Sequence, residues 1–354
     1  MDVAIVCFAN LRGVPYIYQY TNILKNNNIN YDVFIWNRHE IDENIECRNL
    51  YTWNKKMTDD TTKKRKLLNM FLYSRYVENK LLKHNYNRVI ILSSLPGIFM
   101  NKILKNKYAN RYIFDIRDHS YEHIKIYKKL MDKVMKFSAL NVISSEGFKE
   151  FLPKREAILC HNYSIELEPN KIKRITQNGI IKVSFIGQIR YANAYLDFID
   201  KIANNQRIEF HFYGFGGDEK RLKSKCIEQS INNVFFHGSY LPQDKKKIIE
   251  DTDIIFNVYG NNLHVKYALS NKYYDALVYK RPLLVSDQTT MQDISKGIAY
   301  TVNQDFSVKG LLNWYDNLDY DKFCKSCDSY LVKVNEDRKL FTKSVEEIFV
   351  NSIY

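Results

Sequence analysis

The sequence predicts an α/β protein made of two doubly wound parallel sheets, and two observations support this. Short runs of consecutive Val, Ile, Leu and Phe alternate along the 354 residues with polar segments of helical length. Such runs are typical of parallel strands buried on both faces, and the segments between them suit crossover helices. Two such blocks follow one another, and domains of ~100–200 residues also predict two domains for this length.

The predicted strands fall into two blocks, six in the first half and five in the second. In the first half they are 3–8, 31–36, 88–93, 111–115, 140–144 and 157–162. In the second half they are 181–187, 208–214, 233–238, 253–259 and 281–286. The polar stretch 163–177, which contains Pro and Gly, marks the boundary. We therefore predict domains at 1–165 and 166–335, followed by an amphipathic helix at 336–354 that could dock on either domain, with the N-terminal domain as our preference.

Four strands of the second block end in glycine, at Gly187, Gly214, Gly238 and Gly260. Glycine permits a sharp turn and a close approach of the backbone to a ligand. Ligands of open α/β sheets bind at the carboxyl ends of the strands. A single glycine can simply turn the chain. Four glycines at matching strand ends together predict a nucleotide-binding crevice.

One segment could hold a diphosphate and a ribose. Ser270 or Asn271 is suited to begin a helix, and a helix N-terminus offers free N–H groups and a positive dipole. Asp275 lies about one turn later, where its carboxylate could accept hydrogen bonds from ribose hydroxyls. An ordinary capped crossover helix with a solvated aspartate is the alternative.

Six stretches in this order resemble GT-B-fold glycosyltransferases of the family 4 type, found in bacterial capsule, exopolysaccharide and lipopolysaccharide assembly. They are FDIRDH (114–119), ISSEGF (143–148), FIGQIR (185–190), FYGFG (212–216), VFFHGSY (234–240), and SNKYYDAL (270–277) followed by RPLLVS (281–286). The resemblance implies two Rossmann-like domains facing a central cleft. It also implies a transferase that retains anomeric configuration without a divalent ion and uses a UDP- or GDP-linked sugar.

The resemblance further implies that the second domain binds the nucleotide sugar. Arg190 matches a basic residue that contacts the diphosphate, and Asp275 matches the carboxylate that binds the ribose. Gly13 matches a glycine of the loop that lies near the diphosphate and the acceptor. Gly214 and 239–240 would border the base. The complete set of implied donor-binding residues is Gly13, Gly187, Arg190, Gly214, Ser239, Tyr240, Leu269, Ser270, Asn271, Lys272 and Asp275.

Asp118 and His119 match the place where the family contacts the transferred sugar, and they are the candidate catalytic residues. One position departs from the family pattern: the first carboxylate of its E-x7-E motif is replaced by Tyr267. This departure motivates one alternative, a non-catalytic partner subunit of GT-B fold. A nucleotide-sugar epimerase of that fold is a second alternative, and the sequence does not contain the carboxylate pairs that it predicts.

The formal net charge of +13 is confined to one quarter of the chain. Residues 51–136 hold 20 Lys and Arg against 7 Asp and Glu, whereas the remainder holds 33 of each. Segments 61–88 and 123–137 also carry apolar residues at helical spacing, which suits an anionic membrane surface. Ordinary crossover helices packed on the sheet are the alternative. Aromatic residues accompany the apolar positions rather than the charges, and we expect no nucleic-acid partner.

No apolar run approaches the ~20 residues that span a bilayer, and the start MDVAIVCFAN lacks the basic region of a secretory signal. We therefore expect a cytoplasmic protein, peripheral at the inner face of the cell membrane. Its acceptor is expected to be a glycan or a polyprenyl-diphosphate-linked sugar.

Neither candidate metal motif favours a metal. Cys324 and Cys327 form a lone CxxC, interpreted as a solvated helix face, and Asp251 and Asp253 are interpreted as polar residues at a helix end. We expect no metal and no cofactor.

Overall fold

The computed structural model describes residues 1–58, 61–162, 179–260 and 262–349, without the side chains of Lys63 and His264. The chain forms two compact units. The first comprises Met1–Ser164 and Asn335–Tyr354, and the second comprises Ile165–Val334. The predicted boundary stretch 163–177 lies outside the described residues.

The first unit contains a parallel sheet of seven strands. They are β1 Asp2–Cys7, β2 Asn30–Asn37, β3 Asn49–Asn54, β4 Arg88–Leu92, β5 Tyr112–Ile116, β6 Leu140–Ile143 and β7 Ile158–Leu159. The helices between them are α1 Ile17–Asn26, α2 Lys63–Lys83, α3 Ser94–Phe99, α4 Asn101–Lys107 and α5 Lys125–Phe137. The strand order β3-β2-β1-β4-β5-β6-β7 reverses between β1 and β4, as in doubly wound sheets.

The second unit contains a parallel sheet of six strands in the order β10-β9-β8-β11-β12-β13. They are β8 Ile181–Ile186, β9 Ile208–Tyr213, β10 Val234–Gly238, β11 Ile254–Asn257, β12 Leu283–Ser286 and β13 Ala299–Val302. Its helices are α6 Ala192–Ile202, α7 Glu219–Glu228, α8 Lys245–Glu250, α9 Leu263–Lys266, α10 Asn271–Tyr279, α11 Thr290–Ile294, α12 Val308–Asp316 and α13 Tyr320–Phe349. The predicted class of two doubly wound α/β domains is confirmed.

Two strands were not predicted, and both lie at sheet edges. β3 and β13 pair on one side only, and their side chains are mostly half-buried. Continuous apolar runs identify strands covered on both faces, and these edge strands, with the sequences NLYTWN and AYTV, have no such run. Every strand that was predicted is present.

Helix α13 is longer than predicted and begins at Tyr320 rather than near residue 336. Its residues to Val334 belong to the second unit and those from Asn335 to the first. In the first unit, Phe341, Val345 and Phe349 are buried in the apolar cluster built on β1, β2 and α1. The Phe341 ring stands edge-on to Tyr20, with centroids 5.2 Å apart, so the end of the chain completes this core.

The thiols of the CxxC pair lie on α13. Cys327 is buried, which makes the prediction of a solvated face wrong for this residue, whereas Cys324 is half-buried. Burial raises the pKa of Cys327 to about 12, so its thiol stays protonated near neutral pH. All six cysteines are free, and no group of metal-ligating side chains occurs among the described residues.

Helix α2 packs through a different face from the one its leucines suggest. Asn69, Tyr73, Val77 and Leu81, at intervals of four residues, are buried. Five large apolar side chains elsewhere on this helix remain 41–60% exposed: Leu67, Leu68, Phe71, Leu72 and Leu82. The interpretation of α2 as an ordinary crossover helix therefore does not account for these five residues. Within the described part of the chain, no helix is long and apolar enough to cross a bilayer.

We predict that Phe341→Ala destabilises the first unit, because it removes a buried ring from the core. The expected loss in the free energy of unfolding is about 3–5 kcal/mol, measured by urea denaturation. The neighbouring Leu340→Ala is the control, because Leu340 is 52% exposed and should change stability by less than about 0.5 kcal/mol. Equal losses in the two variants would contradict the assignment of α13 to this core.

Candidate functional site

The carboxyl edge of the second sheet carries two glycine turns in direct contact. Gly187 follows β8 with φ +138°, and Gly214 follows β9 with φ +137°, a backbone region that side chains rarely adopt. A β-carbon on Gly214 would lie 1.9 Å from the carbonyl oxygen of Gly187. The Gly214 N–H donates to the carbonyl oxygen of Gly238 at 2.7 Å, which joins the turn after β10 to this pair. These turns therefore present bare backbone, as the sequence predicts for a ligand crevice.

Helix α10 begins at the same edge. Ser270 is its N-cap, and the Ser270 Oγ accepts a hydrogen bond from the N–H of Lys272 at 3.3 Å. The turn after β11 is fixed by Ser286, whose Oγ accepts from the N–H groups of Tyr259 at 2.9 Å and Gly260 at 3.2 Å. β8 and β11 are the neighbours between which the strand order reverses, where doubly wound sheets bind ligands.

The side chain of Lys272 extends between these turns. The residue is only 8% exposed, and its Nζ donates to the hydroxyl of Tyr259 at 2.7 Å. The ammonium lies 4.5 Å from the centroid of the Phe185 ring and would be 3.7 Å from a β-carbon on Gly187. The structure thus brings Gly187, Gly214 and Lys272 together at one edge of the sheet.

Asp275 lies one turn further along α10 and is 2% exposed. Its Oδ1 accepts a hydrogen bond from Nζ of Lys245 at 2.8 Å. Burial raises the pKa of Asp275 above its ordinary value, an effect that Lys245 and Lys272 oppose. Asp275 is therefore not the solvated aspartate of an ordinary crossover helix. Lys245 could not be singled out from the sequence, because it is one of three consecutive lysines that begin α8.

The other donor-binding candidates are more open. Arg190 is exposed, and its guanidinium donates to the side-chain oxygen of Gln188. Ser239 is exposed, whereas Tyr240 is half-buried. The pKa of Tyr240 is raised by burial and then by the charge of Asp275, which places this phenol near the carboxylate. Leu269 is half-buried and Asn271 is exposed at the start of α10.

Tyr267 follows α9, where the family pattern has a glutamate. Its ring is half-buried, and Nζ of Lys266 lies 5.5 Å from the ring centroid. The position therefore offers a phenol beside a cation in place of a carboxylate.

In the first unit, Gly13 ends a short 3-10 turn after β1. Its N–H donates to the carbonyl oxygen of Asn10 at 2.9 Å and is already used within the turn. The carboxylate of Glu43 accepts from the side chain of Asn10 and from the N–H of Leu11, both at 2.8 Å. Gly13 therefore has no side chain to keep a ligand away. The neighbouring donors, the Asn10 side chain and the Leu11 N–H, are already bonded to Glu43.

Asp118 and His119 follow β5, on a loop anchored by a buried ion pair. Arg117 donates to the carboxylate of Asp115 at 2.6 Å and to the carbonyl oxygen of Cys160 at 2.9 Å. The hydroxyl of Tyr20 donates to the same Asp115 carboxylate at 2.6 Å. This network fixes the backbone immediately before the two candidate residues.

The two candidates differ in their surroundings. Asp118 is exposed, whereas the side chain of His119 is only 10% exposed and stands edge-on to the Phe151 ring at 4.8 Å. His119 Nε2 lies 3.9 Å from a carboxylate oxygen of Glu122, which itself accepts from the N–H of Ser120 at 2.6 Å. His119 is therefore held in place by packing, and Asp118 is accessible.

The Asp251–Asp253 stretch joins α8 to β11. The Asp253 carboxylate accepts from the N–H of Lys182 at 2.9 Å, and Asp251 forms an ion pair with the Lys182 side chain. These carboxylates link the helix end to β8.

The fold of two doubly wound parallel sheets, the GT-B fold, is shared by several solved structures. Sucrose-phosphate synthase from Thermosynechococcus elongatus superposes with a TM-score of 0.72 at 10% identity, covering 97% of this chain and 98% of that chain. The lipopolysaccharide outer core galactosyltransferase WaaB superposes with a TM-score of 0.65 at 13% sequence identity, and the match covers all of both chains. Anabaena HepE in complex with UDP superposes with a TM-score of 0.68 at 10% sequence identity, and the match covers 98% of this chain and 100% of that chain.

At these identities the likeness establishes the fold. No protein-family model matches the chain, and no curated protein matches it significantly in sequence.

We predict that Gly214→Ala strongly destabilises the second unit, because its β-carbon would overlap the Gly187 carbonyl oxygen and φ would be strained. The expected loss is about 2–5 kcal/mol in the free energy of unfolding, measured by denaturant titration. Gly217→Ala is the matched control, since nothing lies within 4 Å of a β-carbon there. The packing of the two turns would be refuted if Gly214→Ala were as stable as the control.

Proposed function

We propose that the chain is a glycosyltransferase that moves a sugar from a UDP- or GDP-linked donor to a glycan or polyprenyl-diphosphate-linked acceptor. The observation that carries this proposal is the arrangement at the switch point of the second sheet. Bare glycine turns, the N-terminus of α10 and the Lys272 ammonium meet there, one turn before the buried carboxylate of Asp275. The glycine turns, the helix N-terminus and the ammonium suit a diphosphate, and the carboxylate suits a ribose.

The proposed reaction breaks the bond between the anomeric carbon and a diphosphate oxygen. The electron pair stays on the diphosphate, an acceptor hydroxyl forms the new bond to the carbon, and its proton is released. Cations and backbone N–H groups fixed in advance stabilise the charge that develops on the leaving group. We propose that the chain's own cations suffice without a divalent ion, and that the configuration is retained, as in the family that the motifs resemble.

Solved structures of the same fold support the donor class. HepE has been solved with UDP and glucose, and the trehalose-6-phosphate enzyme of E. coli with UDP-2-fluoro glucose. WaaB acts on the lipopolysaccharide outer core, which supports a surface polysaccharide as the setting. Asp118 and His119 remain the candidates that contact the transferred sugar.

One observation favours a second candidate function, a non-catalytic partner subunit. Position 267 offers a phenol beside Lys266 rather than a carboxylate. A partner subunit would bind the nucleotide without transferring or hydrolysing the sugar, so turnover separates the two functions.

We predict that UDP or GDP, or one of their sugars, raises the melting temperature of the wild-type protein by several degrees at 100 times its Kd. Asp275→Asn should abolish most of this shift, because an amide is a weaker acceptor for ribose hydroxyls. The ligand-free stability should change little, since the amide oxygen of this variant can still accept the hydrogen bond from Nζ of Lys245. Asp200→Asn, at an exposed ion pair with Lys225, is the control.

Turnover completes this test. Asp275→Ala and Arg190→Ala should both reduce sugar transfer or donor hydrolysis, and unchanged turnover in both would place the donor site elsewhere. Nucleotide binding without turnover in the wild-type protein would favour the partner subunit. Epimer formation without an acceptor would instead indicate the epimerase.

We further propose that the first unit binds the anionic inner face of the cell membrane through α2. Leu67, Leu68, Phe71 and Leu72 share the exposed face of this helix, opposite the buried Tyr73. Lys64, Arg65, Arg75 and Lys83 are exposed along the same helix. Its acidic residue, Glu78, is buried and paired with Arg75. Exposed apolar groups among cations suit an anionic lipid surface, where an acceptor carried by a lipid would be found.

We predict that Lys64→Gln, Arg65→Gln and Lys66→Gln together weaken binding to phosphatidylglycerol vesicles at least 10-fold, because each cation contributes about 1 kcal/mol near such a surface. Binding is measured by co-sedimentation. Leu68→Ser with Phe71→Ser should also weaken it. Replacing Lys220, Lys246 and Lys247 with Gln removes equal charge from the second unit and should have little effect. Equal weakening in both charge variants would show that net charge, and not α2, governs binding.

A further inference from the structure

Among the described residues, the buried cation Lys272 has no carboxylate partner. No Asp or Glu oxygen of the described residues lies within 4 Å of its Nζ, and its side chain's hydrogen bond in the described structure goes to the Tyr259 hydroxyl. Burying a charge is costly unless a counter-charge or several hydrogen bonds compensate. An ammonium has three donors, so two of them are available to a further acceptor.

A second buried lysine of this unit shows the usual solution. Lys280 is as deeply buried as Lys272, and it forms an ion pair with Asp328. Lys245, which reaches Asp275, is also paired. The only carboxylate close enough on α10 to act on Lys272 electrostatically is thus already hydrogen-bonded to another lysine.

The position of the ammonium is fixed from two sides. Tyr259 holds Nζ through its hydroxyl, and its own backbone N–H is anchored to Ser286. The Phe185 ring lies below the charge at 4.5 Å. On the remaining side lies Gly187, whose missing side chain would have stood 3.7 Å from Nζ. A ligand that rests on the Gly187 turn therefore reaches the ammonium directly.

We propose that Lys272 is the principal cation for the diphosphate of the donor, with Tyr259 as its positioning residue. This inference rests on the proposed function and differs from the family resemblance, which implies Arg190 for that role. Arg190 is exposed and bonded to Gln188, and water screens its charge. Lys272 acts from a water-poor environment in a fixed position, where a charge stabilises a leaving group most effectively.

The test is calorimetric titration of the full-length chain with UDP, UMP, GDP, GMP and inorganic pyrophosphate. Lys272→Met should weaken binding of the nucleoside diphosphate about 10- to 100-fold and change monophosphate binding far less. Its melting temperature should be unchanged or higher, because a buried charge is removed. Arg190→Met should lose less affinity than Lys272→Met, and Lys220→Met, at an exposed lysine of the same unit, should lose none.

Two more variants separate a binding role from a structural one. Lys272→Arg keeps the charge and should restore part of the preference for diphosphate over monophosphate. Tyr259→Phe keeps the ring and the lysine, and it should weaken diphosphate binding about 3- to 10-fold without changing monophosphate binding. A structural role alone would change the binding of both nucleotides equally.

The outcomes distinguish this inference from the proposed function. Diphosphate binding unchanged in Lys272→Met, or lost chiefly in Arg190→Met, overturns the inference and leaves the proposed function intact. Pyrophosphate binding that disappears in Lys272→Met, without any nucleotide binding to the wild-type chain, supports the anion site and overturns the proposed donor. A wild-type chain that binds neither pyrophosphate nor nucleotide overturns both.

Discussion

The approach of the Gly214 turn to the carbonyl group of Gly187 is the constraint on which the proposed donor site depends. Two neighbouring strands end in this contact, and neither position can carry a side chain in its observed conformation. The contact fixes the course of the backbone after β8, and no side chain of Gly187 separates this backbone from the buried Lys272 ammonium. A methyl group at either glycine would alter both the packing of the sheet edge and the shape of the surface offered to a ligand.

The fold was largely predictable because buried parallel strands have an unmistakable sequence pattern. The pattern failed at β3 and β13, whose half-buried edge positions mix polar and apolar residues. It also failed for α2, because helical spacing of leucines indicates an apolar face without showing whether anything covers it. The start of α13 was missed although residues 320–335 carry a helical signal: Phe323, Cys327 and Val334 recur at that spacing and are buried.

The candidate site was predictable in its backbone and less so in its charges. Glycines after strands and a Ser at a helix start are local signals, and the structure brings them to one edge of the sheet. The partner of Asp275 is 30 residues away in the chain, so Lys245 could not be identified without the fold. That no carboxylate of the described residues pairs with Lys272 likewise could not be predicted, because it depends on distances in the folded structure.

The course of α13 has a consequence for how the protein is made. Tyr20 lies near the beginning of the chain, yet the ring that packs against it belongs to Phe341. Chains emerge from the ribosome from the N-terminus onward, and domains generally fold as units during synthesis. Part of the core of the first unit is therefore supplied only after all the strands of the second unit have emerged. A nascent chain stalled before residue 341 would lack Phe341, Val345 and Phe349, so that apolar surface of the first unit would stay exposed.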